Sequence, residues 1–235
     1  MSDPLELVEP LVARWALPPP AAGRLAALLA ALAADPAAPT SVRRLDEAAE
    51  THVADSLVAL ELDPVRAARR VADLGSGPGF PGLALAVALP DARVALVESA
   101  ARKCAFLERA IAAAALPNAD VVHARAEAWP DGREAHDLVT ARALAALPVV
   151  VEYAAPLLAL GGVLVAWRGR RDPAAETAAA RAAGEVGLEP VEVRHVTPYP
   201  GARDRHLHVF RKAAPTPPRF PRRLGMARKR PLGGN

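Results

Sequence analysis

Val71-Ala72-Asp73-Leu74-Gly75-Ser76-Gly77-Pro78-Gly79-Phe80-Pro81-Gly82 leads from an apolar strand into a helix through four glycines in eight residues. Glycine lets a chain turn sharply and lets a ligand approach the backbone. The helix that follows opens with unpaired N–H groups. A tight strand–helix turn alone would also use glycine, but the flanking elements favour a ligand-binding loop. Around this loop, short apolar runs alternate with Ala-rich helical blocks. Candidate strands are Arg70–Leu74, Arg93–Glu98, Asp120–His123, Asp137–Thr140 and Val163–Trp167. Candidate helices lie near 81–89, 100–115, 148–160 and 174–186. This alternation predicts βαβ units and a buried parallel sheet. Two further β-like runs, Glu189–Val196 and His206–Lys212, flank the turn-forming stretch 197–203 and predict an antiparallel hairpin at the sheet edge.

Upstream, residues 5–34 read as two helical segments parted by Leu17-Pro18-Pro19-Pro20, because proline cannot continue a helix interior. Leu45, Ala48, Ala49, Val53, Leu57 and Leu60 recur at helical spacing and predict one helix over 45–60. The expected fold class is α/β: a three-layer, Rossmann-like, mostly parallel seven-stranded sheet with an antiparallel edge hairpin and an N-terminal helical extension. The expected division is 1–60 for that extension, 61–212 for the ligand-binding domain and 213–235 for a basic tail.

The 235 residues are 52% hydrophobic, and Ala supplies 56 of them, so much of the apolar share is small side chains. The net charge is +3, but its placement is uneven. Residues 211–235 hold eight Arg or Lys and no acid, leaving a net −5 on residues 1–210. One cysteine, Cys104, excludes an internal disulfide and a multi-Cys metal site. The stretch Arg24 to Asp35 is like a signal-peptide core, but Asp3, Glu6 and Glu9 precede it where basic residues belong. Tyr153 to Trp167 is apolar but too short, and it is broken by Pro156, Gly161 and Gly162. A cytoplasmic, monomeric protein with no membrane span and no metal is expected.

The glycine spacing narrows the ligand. A dinucleotide fingerprint wants G-x-G-x-x-G, and that frame puts Phe80 at the third glycine. Here the glycines fall at 75, 77 and 79, with Asp73 two residues before the first. The pattern resembles the first motif of S-adenosylmethionine-dependent methyltransferases. S-adenosylmethionine carries an ammonium and a carboxylate, whereas a dinucleotide brings a pyrophosphate to the helix N-terminus. Asp73 at the strand end suits the former. Glu98 ends the second strand, where a carboxylate accepts ribose hydroxyl protons or caps the next helix. Arg125-Ala126-Glu127 follows the third strand, where a small residue and an acid can meet an adenine amino group.

Further segments make the resemblance specific. They are Thr40-Ser41-Val42-Arg43, the H-x-x-D-S-L block of His52, Asp55, Ser56 and Leu57, Asp73 through Gly82 with its F-P-G ending, and Arg102 through Leu107. Also matching are His123 through Glu127, Thr140-Ala141-Arg142-Ala143, Leu160 through Gly169, and Pro221-Arg222-Arg223-Leu224-Gly225. Together they resemble the small-subunit ribosomal RNA methyltransferase G family, also called glucose-inhibited division protein B. The resemblance implies S-adenosylmethionine as cofactor and formation of 7-methylguanosine in 16S rRNA of the small ribosomal subunit. It places Gly75, Phe80, Ala126, Glu127 and Arg142 at cofactor-contacting positions. Where the family usually has Lys, this chain has Arg168, a planar fork in place of a point charge.

Guanine N7 has no proton to lose, so the reaction needs alignment more than a base. Cys104 falls early in a helix, where a buried structural thiol fits better than a nucleophile. Arg142 is the expected positioning residue at the reacting end, on substrate or methyl donor. His52, Asp55 and Ser56 read equally as a brace over the pocket and as a polar helix face. The expected RNA contacts are Arg168, Arg219, Arg222, Arg223, Arg228, Lys229 and Arg230, with Phe220 stacking on an exposed base. On this reading, truncation at Lys212 leaves cofactor affinity intact. Rival functions are a methyltransferase of a small molecule or protein, and a non-catalytic nucleotide-binding module.

Overall fold

Strand β1 (Arg70–Leu74) lies within a seven-stranded sheet of order β3-β2-β1-β4-β5-β7-β6 in a computed structural model that describes residues 3–234. The outermost residues of both expected terminal segments lie outside it. Residues 71–74 of β1 are all buried, as a parallel strand covered on both faces requires. Val71 faces one core and Ala72 and Leu74 the other. β1 pairs in parallel with β2 (Arg93–Glu98) and β4 (His136–Arg142), and β3 (Ala119–His123) and β5 (Leu158–Arg168) extend the sheet on either side. The hairpin of β6 (Leu188–His195) and β7 (His206–Lys212) closes the β5 edge. Its later strand is inserted inside its earlier one, so β7 alone runs against the others.

Two expectations shift. The eighth helix, α8 (Leu147–Ala154), ends sooner than its apolar run implied, in a 3-10 turn at Ala155–Leu157. Pro156 supplies no N–H to continue it, and β5 starts at Leu158 instead of Val163. The stretch 45–60 is not one α-helix. It passes from α3 (Leu45–Ala48) through a π-helical turn (Ala49–Ala54) into α4 (Asp55–Leu57) and a 3-10 turn (Val58–Glu61), and the short α5 (Asp63–Arg66) follows before β1.

The helices α1 (Pro4–Trp15) and α2 (Ala21–Ala34) are packed onto the sheet domain. Leu25, Leu28, Leu29 and Leu32 are buried in the same core as α6 (Gly82–Ala88) and α7 (Ala101–Ala113). Each such leucine contributes on the order of 1.5–3 kcal/mol. The opposite core is built by α8, α9 (Pro173–Val186) and the end of the chain. Phe220 and the Ala227 of α10 (Met226–Lys229) are buried there.

Candidate active site

The glycine loop takes its shape from left-handed backbone at Gly75 (φ 67°), Gly77 (54°) and Gly79 (95°). The three differ in what they face. A Cβ on Gly79 would strike Leu83 Cδ1 at 2.2 Å, so that glycine serves packing. A Cβ on Gly77 would meet only the Gly75 carbonyl oxygen, at 3.7 Å, leaving the backbone open to a ligand. Gly75 borders two cavities, one of about 560 Å³ and one of about 120 Å³.

Asp73 and Glu98 turn away from both. Asp73 is 1% exposed; its carboxylate accepts from Thr140 Oγ1 at 2.8 Å and from Gly82 N at 3.3 Å. Burial raises its pKa, and those hydrogen bonds oppose the rise. It ties β1 to β4 and to the first residue of α6, and it lines neither cavity. Glu98 Oε1 accepts from the Ser99 and Ala100 amides at 2.8 and 2.9 Å, in the turn ahead of α7, and it does not cap that helix. Its Oε2 accepts from Gly77 N at 3.2 Å, with Lys103 Nζ at 3.8 Å. Asp73 thus staples the loop and lines neither cavity, against the expected cofactor contact, and a ribose contact from Glu98 would share Oε2 with Gly77. The lining of the smaller cavity includes Gly75, Ser99, Ala126 and Glu127 from the strand ends, with Tyr153 and Arg228.

The larger cavity holds Phe80, His52, Asp55, Arg142, Trp167 and Arg168. The H-x-x-D-S-L block is a brace for Arg142. Arg142 Nη1 donates to Thr51 O and to Asp55 Oδ2, both at 2.9 Å, and Nη2 meets His52 Nδ1 at 3.2 Å. His52 Nε2 lies 3.0 Å from Thr40 Oγ1, and its ring stacks on Phe80 with centroids 5.2 Å apart. Trp167 Nε1 donates to Asp55 O at 2.7 Å, and Arg205 Nε stands 3.5 Å from Asp55 Oδ1. Thr51 and Arg205 escaped the sequence reading, and Thr40 and Trp167 were named there without this role, because the partners lie far apart along the chain.

Burial first, and then the Arg142 charge, lowers the His52 pKa to about 4. The neutral ring thus accepts from Arg142 at Nδ1 and donates to Thr40 from Nε2. Burial likewise takes His208 to about 4. The unfolded chain binds protons on these rings from pH 6.5 downward and the folded chain only near 4, so their stabilisation is complete above 6.5 and drains away as pH falls toward 4. By pH 5 the loss is about 2 kcal/mol per ring. Urea midpoints are expected to drop between pH 7 and pH 5, by less in His208→Gln; a midpoint that stays level would refute this.

Cys104 is buried, with Sγ 3.3 Å from Glu98 O and its pKa pushed up by burial and then by the Glu98 charge, so it is a protonated structural thiol. The basic segment is partly spent inside the molecule. Arg222 pairs bidentately with the buried Glu152 at 2.7 and 2.5 Å, and Arg228 Nη2 donates to Leu144 O at 2.9 Å. Phe220 is 2% exposed, which corrects its expected stacking on a base. Arg168 borders the larger cavity and donates to Ala145 O at 2.8 Å. Arg219, Arg223, Lys229 and Arg230 are exposed, and so is Arg228 despite its bond to Leu144 O.

Residues 27–207 match the family model described as rRNA small subunit methyltransferase G. Ribosomal RNA small subunit methyltransferase G of Rubrobacter xylanophilus is 44% identical over 191 residues, covering 78% of this chain and 72% of that one. The protein of the same name from Chloroflexus aggregans is 43% identical over 202 residues, covering 82% of each. Among solved structures, a 16S rRNA (adenine(1408)-N(1))-methyltransferase mutant from Catenulisporales acidiphilia has a TM-score of 0.53 at 19% identity, covering 66% of this chain and 94% of that one. Fibrillarin of Aeropyrum pernix, solved with natively bound S-adenosyl-L-methionine, has a TM-score of 0.50 at 22% identity, covering 67% and 72%. Both likenesses concern the fold.

Proposed function

This chain belongs to the rRNA small subunit methyltransferase G family, and from that membership we propose that it moves a methyl group from S-adenosylmethionine to N7 of a guanine in 16S rRNA. The observation that carries the reading is Gly75, whose backbone borders two cavities of different chemistry. The smaller one fits the adenine end of the cofactor. Glu127 supplies an acceptor for the adenine amino group, and the unsubstituted backbone of Gly75 and Gly77 leaves room for close approach. The larger one has the volume and the polar walls for a flipped base. S-adenosylmethionine supplies an already activated sulfonium methyl.

What the chain must add is alignment and the exclusion of water. No residue has to take a proton from guanine N7. His52, neutral and engaged at both ring nitrogens, does not serve as a base. It holds Arg142 instead. Three of the five guanidinium donors of Arg142 are committed to Thr51, Asp55 and His52, leaving two for the cavity. A donor there fits guanine O6, which leaves the neighbouring N7 lone pair free. Asp55 and Thr51 fix the direction of that fork. The exposed Arg219, Arg223, Lys229 and Arg230 supply phosphate contacts.

The reading is tested with small-subunit particles lacking the modification, naked rRNA, and methyl-labelled S-adenosylmethionine. Mass spectrometry of the digests is expected to show one 7-methylguanosine per RNA. Label on protein or on small molecules alone, or no transfer, would overturn it.

A further inference from the structure

The basic segment docks at the mouth of the smaller cavity, where sequence alone made it a free tail. We propose that α10 is a wall of the cofactor's adenosine subsite and that Arg228 is a cofactor-binding residue, an inference that rests on the cavity taking S-adenosylmethionine. Arg228 lines this cavity together with Gly75, Ala126 and Glu127. Its Nη2 bonds to the carbonyl of Leu144, whose side chain stands 2.6 Å from where a Cβ on Gly75 would lie. Gly225 N donates to Glu127 Oε1 at 3.3 Å, so the same segment orients the acid that faces adenine. Tyr153 lines the same cavity beside Glu127 and Arg228.

The segment is held on both sides of Arg228. Arg222 clasps Glu152 and also donates to Arg230 O at 2.8 Å. Phe220 and Ala227 are buried in the core beneath. An Arg whose Nη2 is tied to a carbonyl still offers a flat guanidinium face, and such a face stacks on an aromatic ring. Adenine held at its amino group by Glu127 presents that ring to Arg228. On this proposal truncation at Lys212 weakens cofactor binding, against the sequence-based expectation, because it would remove this wall.

The test is calorimetric titration of the full chain with S-adenosylmethionine and with S-adenosylhomocysteine. Arg228→Ala is expected to weaken both about tenfold. Arg228→Lys, a point charge without the planar face, restores only part of the loss. Leu224→Ala, on the same segment and exposed, leaves the cofactor Kd unchanged. On the unmutated chain, S-adenosylhomocysteine is expected to protect Arg228, and not Arg223, from an arginine-modifying dicarbonyl mapped by mass spectrometry. Unchanged affinity in Arg228→Ala, an equal loss in Leu224→Ala, or no protection of Arg228 would overturn the inference. A wild-type chain that binds neither ligand would overturn the proposed function instead.

Discussion

Gly75→Arg is expected to abolish cofactor binding, giving no detectable heat with S-adenosylmethionine at concentrations that saturate the parent chain. Two costs act together. The φ of 67° at Gly75 is left-handed, which costs a side-chain-bearing residue roughly 1–2 kcal/mol. The Cβ alone would come within 2.6 Å of Leu144 Cδ1. The remaining atoms of the new side chain must then enter one of the two cavities that Gly75 borders, the smaller of which holds only about 120 Å³. Gly75→Ala grades the effect. Leu144 is a flexible side chain and can yield, so a loss of about tenfold is expected from the strain term. A folded Gly75→Arg chain that binds within tenfold of the parent would remove Gly75 from the cofactor site.

Arg222→Ala is expected to lower the thermal midpoint by about 10 °C. Glu152 is 1% exposed on a helix that is otherwise apolar, and Arg222 makes two hydrogen bonds to its carboxylate. Removing one partner of a buried pair leaves a desolvated charge and costs about 3–5 kcal/mol. In a chain of this size each kcal/mol moves the midpoint by roughly 2–4 °C. If the segment undocks to hydrate Glu152, it exposes Phe220, and limited proteolysis should then cut after residue 212. Glu152→Gln with Arg222→Ala is expected to recover much of the loss, because no buried charge remains. A midpoint within about 2 °C of the parent in Arg222→Ala would show that the pair is no anchor.

The sheet was legible because parallel strands buried on both faces read as continuous apolar runs, and β1 and β2 fall where those runs fall; the antiparallel β7 was legible from the turn-forming stretch 197–203 before it. The glycine loop was legible because its spacing is local. The direction in which an acid points is not local. Asp73 and Glu98 carry the right charge at the right strand ends, yet their oxygens are taken by Thr140, Gly82, Gly77, Ser99 and Ala100. The brace on Arg142 joins residues about ninety positions apart, which spacing along one helix cannot reveal. The basic segment was misleading because a charge count treats every Arg alike. One signal could have been read: Glu152 inside the apolar stretch 147–154 implies a cation brought from elsewhere.

The π-helical turn at Ala49–Ala54 has a consequence for the length of the chain. The amide at its Asp55 end reaches back to the Glu50 carbonyl, and Thr51 O accepts from Arg142 instead. A π turn carries one more residue than the α turn it replaces, about 100° of azimuth. Deleting Val53 or Ala54 would relax the turn to an ordinary helix, return Thr51 O to the backbone ladder, and swing Asp55 to another azimuth from His52. Substitutions here can be conservative, but a one-residue deletion cannot, and homologous sequences that align through this turn without a gap keep its count of residues.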